Sequence, residues 1–136
     1  MLNVKQLDHL NLTVKNVDES KMWYHNLFDF NEVESGIRGG VRWSILRSGD
    51  AMLCMYEHPE LPNPDESDGQ SHKIYHFGLR ITARKEFEER VSKYKVPLEY
   101  GGAIRYPHSW SWYVADPTGY EIEVALWDEN TVKFGN

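Results

Sequence analysis

The sequence predicts an α+β fold made of two tandem βαβββ modules. Three observations carry that reading: a repeated strand motif, a matched helix after each copy, and a set of turn-punctuated strand runs after each helix. The run HLNLTV at 9–14 returns as HFGLRI at 76–81, 67 residues further on. Both alternate polar and apolar side chains at the period of a half-buried strand. His9, Asn11 and Thr13 thus share one face, and Leu10, Leu12 and Val14 share the other. His76, Gly78 and Arg80 repeat the polar face.

After the first strand, Asp18 offers a capping side chain, and Trp23, Tyr24, Leu27 and Phe28 follow at helical spacing, which predicts a helix over 18–28. In the second half, Thr82 is placed to cap a helix bearing Phe87, Val91 and Tyr94. Moving Val91 and Tyr94 back by the repeat length lands on Tyr24 and Leu27, so the repeat extends through the helix. Strand-like runs then follow at 31–34, at 41–47 after Gly39-Gly40, and at 51–57 after Gly49-Asp50. Their counterparts are expected at 98–100, at 110–115, and at 121–126 after Pro117-Thr118-Gly119.

At 136 residues the chain is expected to form a single domain over 1–136, because each half alone encloses too little apolar surface. The expected parts are module 1 at about 1–57, a linker at 58–73, module 2 at about 74–127, and a C-terminal tail. The linker is rich in proline and acidic residues, a composition that suits an exposed segment able to help cover a site.

The net charge of −6, with no lysine or arginine run, argues against capture of nucleic acid or an anionic membrane. A small-molecule partner fits better. Five Trp and eight Tyr supply a core and leave aromatic surface for a binding cleft. Cys54 is the one cysteine and lies in AMLCMY, where a buried, inert thiol is expected. The start MLNVKQLDHL lacks a basic stretch followed by an apolar one, and no run is long enough to span a bilayer, so a soluble cytoplasmic setting is expected.

A lone strand histidine is most often structural, but repetition changes its meaning. Two copies of one unit, each offering a histidine from the same strand face, can bring His9 and His76 together about a twofold-like axis, the convergence that a metal site needs. His25, His58 and His72 have no repeated partner and read as surface residues.

The duplicated βαβββ order, the histidine opening each module and the closing run DPTGYEIEV at 116–124 resemble the vicinal oxygen chelate superfamily, which includes glyoxalase I, fosfomycin and bleomycin resistance proteins and extradiol dioxygenases. The resemblance covers nearly the whole chain. It implies paired modules forming an incomplete, cup-shaped barrel around a divalent metal held by His9, His76 and Glu123. Two imidazoles and one carboxylate leave neighbouring coordination positions for two substrate oxygens, or for substrate and dioxygen. Iron(II) or manganese(II) is the favoured ion, with nickel and zinc as alternatives. Glu121 shares the strand face of Glu123 and is expected near the rim.

Glu57 stands almost as far after His9 as Glu123 stands after His76, which would make it a fourth ligand as in glyoxalase I. Aligning Gly49 with Gly119 instead puts Leu53 opposite Glu123, so three ligands are preferred. Tyr113 has the relation to Glu123 that a catalytic tyrosine bears to the ligand glutamate in extradiol dioxygenases. His108 lies nearer Tyr113 than that pattern wants, and Trp112 replaces its usual aliphatic neighbour. Arg38, Arg42, Lys73 and Arg105 are the cations available to a glyoxalase-like or fosfomycin-type reaction, though none lies in a diagnostic motif. The implied activity is that of a metal-dependent enzyme on a small oxygen-rich or aromatic substrate, with extradiol-type ring opening as its sharpest form. Glyoxalase-like lyase and fosfomycin-resistance-like transferase activities are alternatives, as is a metal-free binding protein of the bleomycin-resistance kind. Relatives of this kind are often homodimers that share strands between sites.

Overall fold

A computed structural model describes residues 1–64 and 72–135. Residues 65–71, the middle of the expected linker, lie outside the described residues. The chain divides into two compact units, Met1–Pro62 and Asn63–Asn136. Each is an open four-stranded sheet carrying one helix, and together they make the tandem α+β arrangement that the repeat predicts.

In the first unit, β1 (Leu10–Val14) leads into α1 (Val17–Phe28), followed by β2 (Asn31–Arg38), β3 (Val41–Ser48) and β4 (Ala51–Glu57). The spatial order is β1-β4-β3-β2, with β1 parallel to β4 and the other pairs antiparallel. The helix starts one residue earlier than expected because Asn16 is its cap, its Oδ1 accepting the Glu19 amide at 2.9 Å. Asp18 sits in the first turn instead, where its charge suits the helix dipole. Val17, Ser20, Tyr24, Leu27 and Phe28 form the buried helix stripe. They pack with Leu12, Val14, Phe30, Leu46, Leu53 and Met55, and the Tyr24 and Phe30 rings meet edge to face at 5.8 Å. Strand β2 runs four residues beyond its predicted end, because Gly39 and Gly40 take positive φ values and fold it directly back onto β3.

In the second unit, β5 (Phe77–Arg80) leads into α2 (Arg84–Lys93), then β6 (Ile104–Tyr106), β7 (Ser109–Ala115) and β8 (Glu121–Trp127). The order β5-β8-β7-β6 repeats that of the first sheet, with β5 parallel to β8. Phe87 is the buried residue of α2 and meets Trp112 edge to face at 5.3 Å, over Val114, Ile122 and Val124. Thr82 does not cap this helix. Ala83 holds the cap position with no side-chain hydrogen bond, and Tyr94, expected on the packed stripe, is instead the exposed C-cap.

The strand expected at 98–100 is also displaced. Glu99–Gly101 forms a 3-10 turn in which Tyr100 has φ 53°, and Gly101 and Gly102 continue with positive φ. An extended strand cannot hold that run, so pairing resumes only at Ile104.

Candidate functional site

The second unit gathers the polar side chains that the repeat singled out. His76 directly precedes β5, and Gly78 and Glu123 are partners on the parallel β5–β8 ladder. Glu123 is in turn the cross-strand partner of Tyr113. Strand alternation puts His76, Glu121, Glu123, Ser111 and Tyr113 on one sheet face, opposite the face that packs on α2.

The hairpin that sets this register is pinned by Asp116. Its buried Oδ1 accepts the amides of Thr118, Gly119 and Tyr120 at 3.0, 2.8 and 2.9 Å. Gly119 takes φ 111°, and a Cβ there would lie 3.5 Å from Pro64, so the Asp-Pro-Thr-Gly sequence suits a loop closed from inside.

His76 Nε2 lies 3.0 Å from Glu123 Oε2, and Nδ1 of the same ring lies 3.8 Å from Glu121 Oε2. Ser111 donates its hydroxyl to the other Glu123 oxygen at 2.8 Å. Glu121, beside His76, also receives the Tyr100 hydroxyl. Tyr113 is buried, and its ring meets the His76 ring at 5.8 Å and 80° and the Tyr100 ring at 5.1 Å and 87°. Its hydroxyl shares a hydrogen bond of 3.0 Å with that of Tyr106. Burial, the Tyr106 hydroxyl and the Glu123 charge hold this phenol well above the ordinary tyrosine range, so it is a neutral donor.

In the first unit, His9 precedes β1 and its Nδ1 lies 2.7 Å from Asp8 Oδ2, which leaves Nε2 to meet another partner. The matched ladders show what stands where Glu123 would be. Asn11 pairs with Cys54 as Gly78 pairs with Glu123, so the counterpart is Cys54 and not Leu53. The glycine alignment fails by one position because the two hairpins close differently. Ser48 pairs with Ala51 around a tight Gly49-Asp50 turn, whereas Ala115 pairs with Glu121 around the longer Asp116–Tyr120 loop. Cys54 is half-buried, and burial raises its thiol above the usual range, as suits the inert role expected of it.

Glu57 is engaged elsewhere. Its Oε2 accepts the Val17 amide at 2.9 Å and pairs with Arg42 at 3.4 Å, so it closes the N-terminus of α1.

Among the described residues no group of three or more His, Cys, Asp or Glu side chains is gathered to hold a metal ion. The second unit supplies a pair, His76 and Glu123, whose atoms are of the kinds a divalent transition metal accepts. Their outer partners match those of ligating side chains, since Ser111 fixes one carboxylate oxygen and Glu121 faces the second imidazole nitrogen. Of the cations expected near a substrate, Arg42 is tied to Asp18 at 2.9 Å and Arg105 to Asp128 at 2.7 and 2.8 Å, while Lys73 lies over the Tyr75 ring. His108 is half-buried, and its Nε2 has no hydrogen-bond partner among the described residues.

Residues 6–124 match the family model of the Glyoxalase/Bleomycin resistance protein/Dioxygenase superfamily. The chain belongs to this superfamily. Members with solved structures share its fold at low identity. A glyoxylase/bleomycin resistance protein/dioxygenase domain from Frankia sp. EAN1pec is 20% identical with a TM-score of 0.77, covering 95% of this chain and 96% of its own. The fosfomycin resistance protein FosX from Listeria monocytogenes, solved with Mn(II) and sulfate, is 18% identical with a TM-score of 0.68, over 91% and 93% of the two chains. A lactoylglutathione lyase from Agrobacterium tumefaciens is 21% identical with a TM-score of 0.65, over 90% and 94%. No curated protein sequence matches the chain.

Superfamily membership agrees with the tandem modules, and the known members include a metal-bound one. Ser111, Tyr100 and Tyr106 were not anticipated as parts of this face. Ser111 shares the parity of Tyr113 on β7 and so was open to a register argument, whereas Tyr100 arrives through a turn that no periodicity marks.

Proposed function

We propose that the chain is a divalent-metal-dependent enzyme acting on a small oxygen-rich or aromatic substrate, with His9, His76 and Glu123 as the metal donors. The observation that carries this reading is the 3.0 Å approach of His76 Nε2 to Glu123 Oε2, with Ser111 holding the second carboxylate oxygen and Tyr113 alongside. His9 is the third donor by repeat position, and the Asp8 contact at Nδ1 orients its ring as outer carboxylates orient ligating histidines. Iron(II) or manganese(II) suits the donor set, and the manganese in FosX supports a divalent ion.

When bound, a divalent ion would act as a Lewis acid toward two neighbouring substrate oxygens. The chain's own residues do the rest. Glu121 and Tyr100 steady His76, Ser111 fixes the rotamer of Glu123, and the neutral Tyr113 hydroxyl donates to negative charge developing on the substrate. The finest version of the reading is ring opening of a vicinal diol on an aromatic ring by dioxygen, for which a neutral phenol beside the histidine is suitable. A homodimeric, cytoplasmic enzyme is part of the same proposal. No helix among the described residues is long and apolar enough to cross a membrane.

A screen of the iron- and manganese-loaded protein separates the versions. Oxygen uptake that depends on a catechol supports ring opening. Conversion of fosfomycin or of a glutathione hemithioacetal without oxygen uptake replaces it with the reaction of the corresponding relative. A protein that retains no transition metal and still binds ligand is the metal-free binding member.

A further inference from the structure

The polar face of the first sheet carries a cavity of about 270 Å³, at the small end of ligand sites and lined entirely by first-unit residues. Its floor follows the strand register. One cross-strand row runs Asn11, Cys54, Ile45, Glu34, and the next runs Thr13, Tyr56, Trp43, Gly36. Gly36 is there to seat an indole. A Cβ added at this position would lie 2.9 Å from Trp43 Cζ2 and 3.2 Å from Nε1, so the Trp43 ring lies flat across the strand where any side chain would displace it. The result is an aromatic shelf between Tyr56 and the bare backbone of β2.

The two ends of the cavity differ chemically. Glu34 lines one end of the β2 side, while His9 and Asn11 line the β1 side, and together they offer nitrogen and oxygen acceptors and an amide. Arg38 lines the other end of the β2 side, two residues beyond Gly36 on the same strand face, and among the described residues it has no ion pair or hydrogen bond. Unlike Arg42 and Arg105, which are committed to carboxylates, this guanidinium is left to a ligand. From Glu34 to Arg38 the strand spans roughly 13 Å, the length of a small ring system with a substituent at each end.

We infer that this cavity binds a planar aromatic carboxylate bearing a hydroxyl at its far end, with its ring on Trp43, its carboxylate on Arg38, and its hydroxyl toward Glu34. This deepens the proposed function, since His9 is one of the proposed metal donors, and it names the substrate class as a hydroxylated aromatic acid. Stacking and the guanidinium do not depend on the metal, and that separates the two claims.

The test is isothermal titration of the full-length, chelator-treated protein with 6-hydroxy-2-naphthoate, the matching neutral 6-hydroxy-2-naphthamide, and cyclohexanecarboxylate. The acid should bind about tenfold or more tightly than the amide and than the non-aromatic acid. Arg38→Gln, at an exposed position that leaves the core untouched, should abolish the preference for acid over amide. Gly36→Ala, which pushes on the indole, and Trp43→Leu should each weaken the acid by about tenfold. Equal binding of acid and amide, an Arg38→Gln variant that keeps the preference, or no binding up to about 10 mM overturns the inference. Because no metal is present, none of these results depends on metal coordination, and a failure of the metal reading leaves the titration unchanged.

Discussion

The Glu57 carboxylate accepts the Val17 amide at 2.9 Å, so the end of β4 closes the start of α1. That relationship accounts for a glutamate whose sequence spacing mimics a metal ligand. Glu57→Gln should lower stability by about 0.5–1 kcal/mol, the scale of a charge at a helix N-terminus. Chemical denaturation measures that loss, and the metal content of the variant should equal that of the wild type. A loss of metal in Glu57→Gln would restore a fourth ligand.

Tyr113 is set by both packing and chemistry, and one substitution separates them. Tyr113→Phe keeps the ring contacts with His76 and Tyr100 and removes the hydroxyl that meets Tyr106. The expected cost in stability is about 1 kcal/mol. Turnover on an established substrate should fall by roughly two orders of magnitude, the loss typical when a donor to developing charge is removed. Unaltered turnover would make Tyr113 a packing residue.

Glu32 links α1 to the sheet through Lys21 Nζ at 2.7 Å and Ser44 Oγ at 2.7 Å. These two partners, Lys21 first, hold its carboxyl below the usual value of 4.5. A depressed carboxylate contributes stability above its unfolded pKa and loses it as the pH falls through the folded value. Glu32→Gln should therefore melt below the wild type at neutral pH, and the gap should close as the pH drops below 4.5. A gap that is constant with pH would rule out the charge as its source.

Much of the architecture was legible in the residues. The alternation in HLNLTV gave the right faces, with Val14 and Leu12 buried and His9, Asn11 and Thr13 exposed. The Asp-Pro-Thr-Gly loop pointed to the strand carrying Glu123, now seen against His76. Legibility failed where local backbone chemistry overrode pattern. Asn16 outcompeted Asp18 as a cap because its side chain reaches the Glu19 amide. Tyr100 at φ 53° broke an apparent strand. The shelf of Trp43 on Gly36 was readable in principle, since a tight turn at Gly39-Gly40 pairs Arg38 with Val41 and hence Gly36 with Trp43. Cys54 as the counterpart of Glu123 was hidden by the unequal loops of the two hairpins.

Ser111 holds one oxygen of Glu123 and itself is fully buried. Ser111→Ala should weaken metal affinity by about 10–100-fold, as the loss of an outer partner commonly does. Competition with a chelator of known affinity measures this, and an unchanged midpoint would remove Ser111 from the account.

The proposed site has His9, His76 and Glu123 holding one divalent metal. Its most direct test is elemental analysis of tag-free wild-type protein and of His9→Ala, His76→Ala and Glu123→Ala after growth with iron and manganese. The wild type should hold close to one equivalent and each variant less than about a tenth of an equivalent, with cooperative melting retained. Near-wild-type metal in His76→Ala and Glu123→Ala, or a wild type that binds none, would contradict it.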